Sequence, residues 1–306
     1  MAKPGSKNNN TESNAFLSGE AMFPHFLFVV LDMKFVPKNY PLLMRMSTLI
    51  RFCIFAFIII SIFSCKKQTE VIDDTDYQKE RLLELTIPLQ AGKYITYRVD
   101  STVFTNFGRT TEVHKYLVKH VVDALITDNL ERPSYRIYTY VADTTGTQPW
   151  QANGSYLITI LDDKVEVIED NLRVIKIHTP VRDGNKWRGN TYLPNDPYGS
   201  LYSFSNDDNM ADWEFNFDGG LQSSVIMKGQ TYHDVYTIQE DDELDPVTAP
   251  SDYGSQTFAQ EMYAKNIGLV YRELTMWEQQ PNFTPPNTYD PYRIGFGIKM
   301  WMVDHN

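Results

Sequence analysis

The chain has 306 residues, with 39 acidic and 28 basic side chains, a formal net charge of −11, 42% apolar residues and two cysteines. This apolar fraction excludes wholesale disorder, two cysteines exclude a disulfide scaffold, and the negative charge argues against nucleic acid as a partner. Charge is distributed unevenly, because residues 1–64 hold only three acids but six bases. The other 242 residues keep 36 acids and 22 bases, a net charge of −14.

An uncharged apolar stretch occupies residues 52–63. A helix of that length rises about 18 Å, which is short of the roughly 30 Å of a bilayer core. Arg45 and Arg51 precede the stretch, and Ser64-Cys65 follows it. A positive region, a short apolar region and a small residue at the cleavage point are typical of a secretory signal.

Residues 62–65, Ile-Phe-Ser-Cys, resemble the lipobox of bacterial lipoproteins. In that family the cysteine thiol receives a diacylglyceryl group and the signal is cut just before it. The resemblance implies lipid attachment at Cys65 and the membrane as a partner, since two or three acyl chains hold a domain on a bilayer. The alternatives are a single transmembrane anchor, or a buried core helix with an incidental cysteine.

These features divide the chain into four segments. We expect residues 1–43 to be a disordered, misannotated N-terminal extension, because signal peptides begin shortly before their apolar region and Met44 lies there. An unusually long cytoplasmic n-region is the alternative. Residues 44–64 are then a lipoprotein signal peptide, 65–87 a polar tether, and 88–306 a single β-rich domain.

From Tyr94 onward, about a dozen segments rich in Val, Ile, Thr and Tyr alternate with turn residues. Asp170-Asn171 separates two such segments by only two residues, which predicts a tight hairpin. With no long amphipathic helix, the pattern predicts an all-β fold, either an antiparallel sandwich or an open β-barrel. We expect the acidic segments 193–212 and 240–252 to be surface loops.

Metal-binding patterns are weak. The histidines lack the i, i+4 spacing of a helical zinc site, so we predict no metal and no cofactor. Asn206–Asn209 and the acidic run 240–245 offer oxygen ligands for Ca²⁺. The EF-hand pattern is absent, however, and charge runs of this kind favour solvated loops.

Catalytic motifs are also missing. The chain has no nucleophile elbow, phosphate-binding loop or dinucleotide fingerprint, so we assign no catalytic residue and favour a protein that is not an enzyme. Glycoside hydrolysis needs only a pair of carboxylates at the right separation. Glu261, Glu273 and Glu278 lie on candidate strands and are the first carboxylates to test.

Aromatic side chains are abundant, with five tryptophans and eighteen tyrosines after Cys65. We expect most of them to fill half-buried β faces. Trp150 differs because it lies in the turn-rich segment 146–154, where an aromatic ring could stack on a ligand such as a sugar.

Three further segments, 92–104, 229–235 and 263–273, resemble strand motifs of uncharacterised outer-membrane lipoproteins of the Bacteroidota. The resemblance implies a lipid-anchored outer-membrane protein that faces the periplasm or the cell surface, and it implies no activity. We therefore expect a non-enzymatic binding or scaffolding domain with a glycan, lipid or protein ligand. The alternatives are a polysaccharide-acting hydrolase and an open-barrel carrier of a lipid or small apolar ligand.

Overall fold

The computed structural model describes residues 74–194, 197–199, 204, 210–286 and 288–306. The predicted extension 1–43, the signal 44–64, Cys65 and Asn206–Asn209 lie outside the described residues. The described elements are α1 (Thr75–Glu84), β1 (Tyr94–Thr105), β2 (Thr110–Thr127), β3 (Pro133–Asp143), β4 (Gln151–Ile160), β5 (Lys164–Glu169), β6 (Leu172–His178), β7 (Lys186–Trp187), a 3₁₀ turn (Met210–Asp212), β8 (Phe215–Phe217), β9 (Gln222–Met227), β10 (Gln230–Asp245), β11 (Gly254–Ala264), β12 (Gly268–Gln280), β13 (Phe283–Thr284), β14 (Thr288–Tyr289) and β15 (Tyr292–His305).

Thirteen of the described strands form one antiparallel sheet. The order across it is β6-β5-β4-β3-β2-β1-β15-β12-β11-β10-β8-β7, and β9 pairs with β10. Most neighbours follow one another in the chain, because antiparallel strands can be joined by short hairpins. The β5–β6 hairpin turns at Asp170 and Asn171, whose φ angles of 51° and 62° suit a two-residue turn of type I′ and confirm the predicted hairpin.

The two edges of this sheet meet. The backbone N–H of Ile175 on β6 donates to the carbonyl of Gly189, just after β7, at 2.9 Å. The indole Nε1 of Trp187 on β7 donates back to the carbonyl of Ile175, also at 2.9 Å. The sheet is therefore a nearly closed barrel. This confirms the predicted all-β single domain and matches the barrel rather than the sandwich.

Helix α1 packs on the barrel. Leu82 and Leu85, at its C-terminal end, are 0% and 1% exposed and belong to the hydrophobic core. Ion pairs join the helix to the turns on either side, from Lys79 to Asp162 at 2.7 Å and from Lys265 to Glu84 at 3.1 Å. The second half of the segment predicted as a tether is therefore part of the folded domain. No helix among the described residues is long and apolar enough to cross a membrane.

One predicted surface loop is wrong at its start. β10 continues to Asp245, so the segment 240–252 begins inside a strand, and Glu240 is buried. The sequence does not reveal the burial of Glu240, because this residue opens a run of acidic residues and such a run is typical of a solvent-exposed loop.

Candidate functional site

Three strand irregularities place polar residues in the lining of one cavity. A β-bulge leaves one residue without a partner and turns its side chain away from the regular alternation. Asn153 on β4, Lys176 on β6 and Glu240 on β10 are each skipped in this way, and all three line the same cavity. The strand pairs that flank them are Thr139 with Gly154 and Tyr140 with Ala152, Val165 with Ile177 and Glu166 with Ile175, and Gln239 with Gln260 and Asp241 with Ala259.

A cluster of buried charges forms around Lys176. Its Nζ lies 2.7 Å from an oxygen of Glu240 and 2.9 Å from Oε1 of Glu261. Arg272, which is paired with Glu261 across β11 and β12, donates from Nε to the same Oε1 at 2.7 Å. Tyr263 donates its hydroxyl to the other oxygen of Glu261. We call Lys176, Glu240, Glu261 and Arg272 the interior charge cluster.

The pKa values of the two carboxylates of this cluster are shifted in opposite directions. Burial raises the pKa of Glu261, but the charges of Lys176 and Arg272 outweigh it and hold that pKa at about 2. Burial, together with repulsion by Glu261, raises the pKa of Glu240 above its ordinary value despite Lys176. Glu261 is therefore the fixed anion of the cluster, and Glu240 is the group that takes up a proton more readily. Removing one partner of such a buried pair typically costs about 3–5 kcal/mol of stability.

A histidine packed between two tyrosines adjoins the cluster. The ring of His120 lies 4.8 Å from that of Tyr97 and 5.3 Å from that of Tyr156, centroid to centroid. The hydroxyl of Tyr156 and Nδ1 of His120 are 3.1 Å apart and share a hydrogen bond. Burial, and then the charge of Arg272, lower the pKa of His120 to about 3, so its imidazole is neutral at physiological pH.

Two cavities adjoin the interior charge cluster, and both are lined in part by Lys176 and Arg272. The smaller, about 50 Å³, lies next to the segment that follows α1. The larger measures about 250 Å³ and extends away from the helix. Its apolar wall includes the aliphatic side chains of Val99, Val118, Val167, Leu172, Val174, Met210, Leu274, Ile298 and Met300, together with the rings of Tyr198 and Trp213. The lining of the larger cavity thus combines apolar side chains with the interior charge cluster.

Asn190 stands out among the polar residues of the larger cavity. It follows Gly189 at the seam of the barrel and is 3% exposed. Among the described residues, Asn190 Nδ2 and Thr96 Oγ1 are the buried side-chain atoms without a hydrogen-bond partner. A buried amide donor without an acceptor is costly, so Asn190 marks a point where the protein itself offers an unused hydrogen bond.

The carboxylates singled out from the sequence do not form a catalytic pair. Glu261 is in the interior charge cluster, whereas Glu273 is the next residue after its cross-strand partner and so faces the other side of the sheet. Glu273 instead pairs with Lys299 at 2.6 Å. Glu278 is five residues further along β12, about 17 Å away by strand geometry.

Trp150 lies away from this site. It precedes β4, is 38% exposed, and carries the ammonium of Lys119 4.9 Å from its ring centroid. Its role in ligand stacking stays a prediction. Within the described part of the chain, no group of three or more His, Cys, Asp or Glu side chains is placed to hold a metal ion.

Sequence reasoning did not single out Lys176, Arg272 or Asn190, and it considered Glu240 only as part of an acidic run. Lys176 and Glu240 owe their position to β-bulges, which leave no mark in the hydrophobic pattern. The available signal was weak: a lysine between two isoleucines in the strand-like segment 172–177 is an unusual charge in an apolar run.

No family model matches the chain. No curated protein matches it either. Solved structures similar to it include a DUF1329 family protein from Desulfovibrio piger ATCC 29098, at 11% identity and a TM-score of 0.17, with 76% of this chain and 90% of that chain covered. Another is a domain from Vibrio parahaemolyticus described as an outer membrane lipoprotein-sorting protein, at 12% identity and a TM-score of 0.19, with the same coverage. With TM-scores this low, neither structure supports a conclusion about the function of this protein.

Proposed function

We propose that this protein is a non-enzymatic carrier or binding protein whose barrel holds one small, mainly apolar ligand. The observation that carries the proposal is the cavity of about 250 Å³, with nine aliphatic side chains in its wall beside the interior charge cluster. Ligand pockets are typically apolar concavities with a few placed polar groups. Of the functions expected from the sequence, this corresponds to the open-barrel carrier.

The cavity volume restricts the ligand. An apolar cavity of roughly 150 Å³ is enough to bind benzene, and drug-sized pockets run from roughly 300 to 1,000 Å³. At about 250 Å³, the larger cavity fits one short chain or a small ring system rather than a lipid with several acyl chains.

Hydrolysis is less well supported by the same residues. A retaining glycosidase needs a carboxylate that is free to attack, and an inverting one needs a carboxylate that can take a proton from water. Both oxygens of Glu261 already accept hydrogen bonds, from Lys176, Arg272 and Tyr263. A pKa of about 2 also makes Glu261 a weak base.

Filling the cavity tests the proposal. N-phenyl-1-naphthylamine is an uncharged dye that fluoresces in apolar surroundings, and we expect the purified full-length protein to bind it saturably at one site. Val118→Phe should weaken binding about tenfold or more, because Val118 lines the larger cavity and the added ring would occupy it. Val113→Phe is the matched control, since Val113 lies on the same strand but is exposed.

The outcomes separate clearly. Saturable binding that Val118→Phe weakens and Val113→Phe preserves supports the carrier function. Binding of equal strength in both variants, or no saturable binding by the wild-type protein, would show that the barrel interior is not a ligand site. Release of reducing sugar from a polysaccharide, abolished by Glu240→Gln, would instead support the hydrolase.

The proposal includes the location of the domain. Lipid attachment at Cys65 would hold the barrel at the outer membrane, on its periplasmic side or at the cell surface, where small apolar molecules are poorly soluble and need a carrier. The support for this location is the lipobox-like sequence at residues 62–65 and the apolar stretch before it.

A further inference from the structure

The buried charges of the larger cavity balance one another. The carboxylates of Glu240 and Glu261 are matched by the two cations Lys176 and Arg272. Three further carboxylates border the cavity, but Glu169 is partly exposed and lies 3.6 Å from Arg272, Asp170 is exposed, and Glu273 is paired with Lys299. The cavity therefore has no surplus cation to attract an anionic ligand.

Both cations are already paired with carboxylates of the protein. Lys176 contacts Glu240 and Glu261 within 2.9 Å, and Arg272 donates to Glu261. An anionic head group would have to displace one of these internal partners and leave it buried without its counter-charge. The cluster is thus built to be satisfied within the protein and not to bind an acid.

A cationic head group gains little from the same cluster. Oε1 of Glu261 accepts from both Lys176 and Arg272, and its other oxygen accepts from Tyr263. Glu240 already contacts the ammonium of Lys176. A second cation at this cluster would lie beside Lys176 and Arg272 and would be repelled by both.

One polar side-chain atom at this cavity lacks a hydrogen-bond partner, and this atom is a donor. Asn190 Nδ2 is buried, lines the larger cavity, and has no acceptor among the described residues. What it lacks is an acceptor oxygen, and a carbonyl or a hydroxyl supplies one without bringing a further charge to the paired cluster. A ligand that supplies this oxygen relieves an unsatisfied buried donor on binding.

We infer that the ligand is an uncharged amphiphile, with its apolar part against the aliphatic wall of the cavity and a carbonyl or hydroxyl oxygen on Asn190 Nδ2. This inference rests on the proposed carrier function and names its ligand class. It places selectivity in two features: internal ion pairs that leave no free charge for an ionic head group, and an amide donor that lacks an acceptor.

Three probes with one chain and different head groups test the inference. Octan-1-ol, octanoate and octylammonium are each used at pH 7.5 to displace N-phenyl-1-naphthylamine from the full-length protein. We expect octan-1-ol to bind at least about tenfold more tightly than either charged probe. Asn190→Leu should weaken octan-1-ol about tenfold while dye affinity changes less than about twofold, because the dye needs no acceptor-binding group.

Gln151→Leu is the matched control, since Gln151 is an exposed amide on β4 that lies outside the lining of both cavities. It should leave the affinity for octan-1-ol unchanged. Octanoate or octylammonium binding as tightly as octan-1-ol would overturn the inference without any variant, as would an Asn190→Leu protein that keeps wild-type affinity for octan-1-ol. Failure of the dye itself to bind would instead remove the carrier function on which the inference rests.

Discussion

At the scale of single residues, His120 connects the structure of the site to solution pH. Its ring is enclosed by Tyr97 and Tyr156, and its pKa is lowered to about 3 by burial and then by Arg272. In an unfolded chain the pKa of histidine is about 6.5. Below pH 6.5 the unfolded chain therefore binds a proton that the folded protein does not. Stability falls with pH from about 6.5 until the folded-state pKa near 3 is reached.

We predict that lowering the pH from 7.5 to 5.0 reduces the free energy of unfolding by about 2 kcal/mol through His120 alone. His120→Gln keeps a polar side chain but cannot be protonated. The free energy of unfolding of this variant should therefore fall by about 2 kcal/mol less than that of the wild type over the same pH interval. Urea unfolding at the two pH values measures the difference. His114→Gln, at an exposed position on the same strand, is the control and should retain the wild-type loss. Identical pH dependence in wild type and His120→Gln would contradict the prediction.

The same residue shows how far sequence reasoning reaches at this scale. The sequence showed that the histidines lack the spacing of a helical zinc site, but not that His120 is buried while His114, six positions earlier, is exposed. It also placed Glu261 on a strand and named it for testing. It could not show that Lys176, Glu240 and Arg272 converge on Glu261, because their strands are distant in the chain.

At the scale of elements, the seam between β6 and β7 decides whether the sheet closes. Gly189 supplies the carbonyl that receives the N–H of Ile175, and Asn190 follows it directly. A Cβ atom at Gly189 would lie 2.3 Å from ring carbons of Phe215, whose side chain is fully buried. The sequence offered no sign of this contact, since β7 is only two residues long. Strands and hairpins follow local patterns, whereas closure depends on contacts between remote segments.

We predict that Gly189→Ala lowers the free energy of unfolding by about 1–3 kcal/mol, because the methyl group overpacks the ring of Phe215. The dye should bind more weakly to this variant as well, since the seam holds Asn190 at the cavity. Gly220→Ala is the control, because a Cβ atom there meets nothing within 4 Å. Urea unfolding compares the three proteins. A Gly189→Ala protein as stable as the control would mean that the seam tolerates movement of Phe215.

At the scale of the whole molecule, the packing of α1 limits how far the proposed lipid anchor could hold the barrel from a membrane. The sequence assigned residues 65–87 to a tether, yet α1 begins at Thr75 and its end is buried in the core. If the lipid is on Cys65, nine residues, 66–74, separate it from the helix. A fully extended chain rises by at most about 3.6 Å per residue, so these nine residues span no more than about 32 Å. With that anchor in place, the proposed carrier would act close to the membrane surface, where it could take up or release apolar molecules.

Lipid attachment at Cys65 can be tested directly by metabolic labelling. In a bacterium that produces the full chain and is fed an alkyne-bearing fatty acid, we expect the protein to carry the label and to sediment with membranes. Cys65→Ala should abolish the label, because the thiol is the attachment atom of a lipobox cysteine. Cys53→Ala is the matched control: it removes the other cysteine, which lies within the apolar stretch, and should leave labelling intact. Label that survives Cys65→Ala would contradict lipid attachment at Cys65. The proposed carrier function, which rests on the cavity, would not be affected by that result.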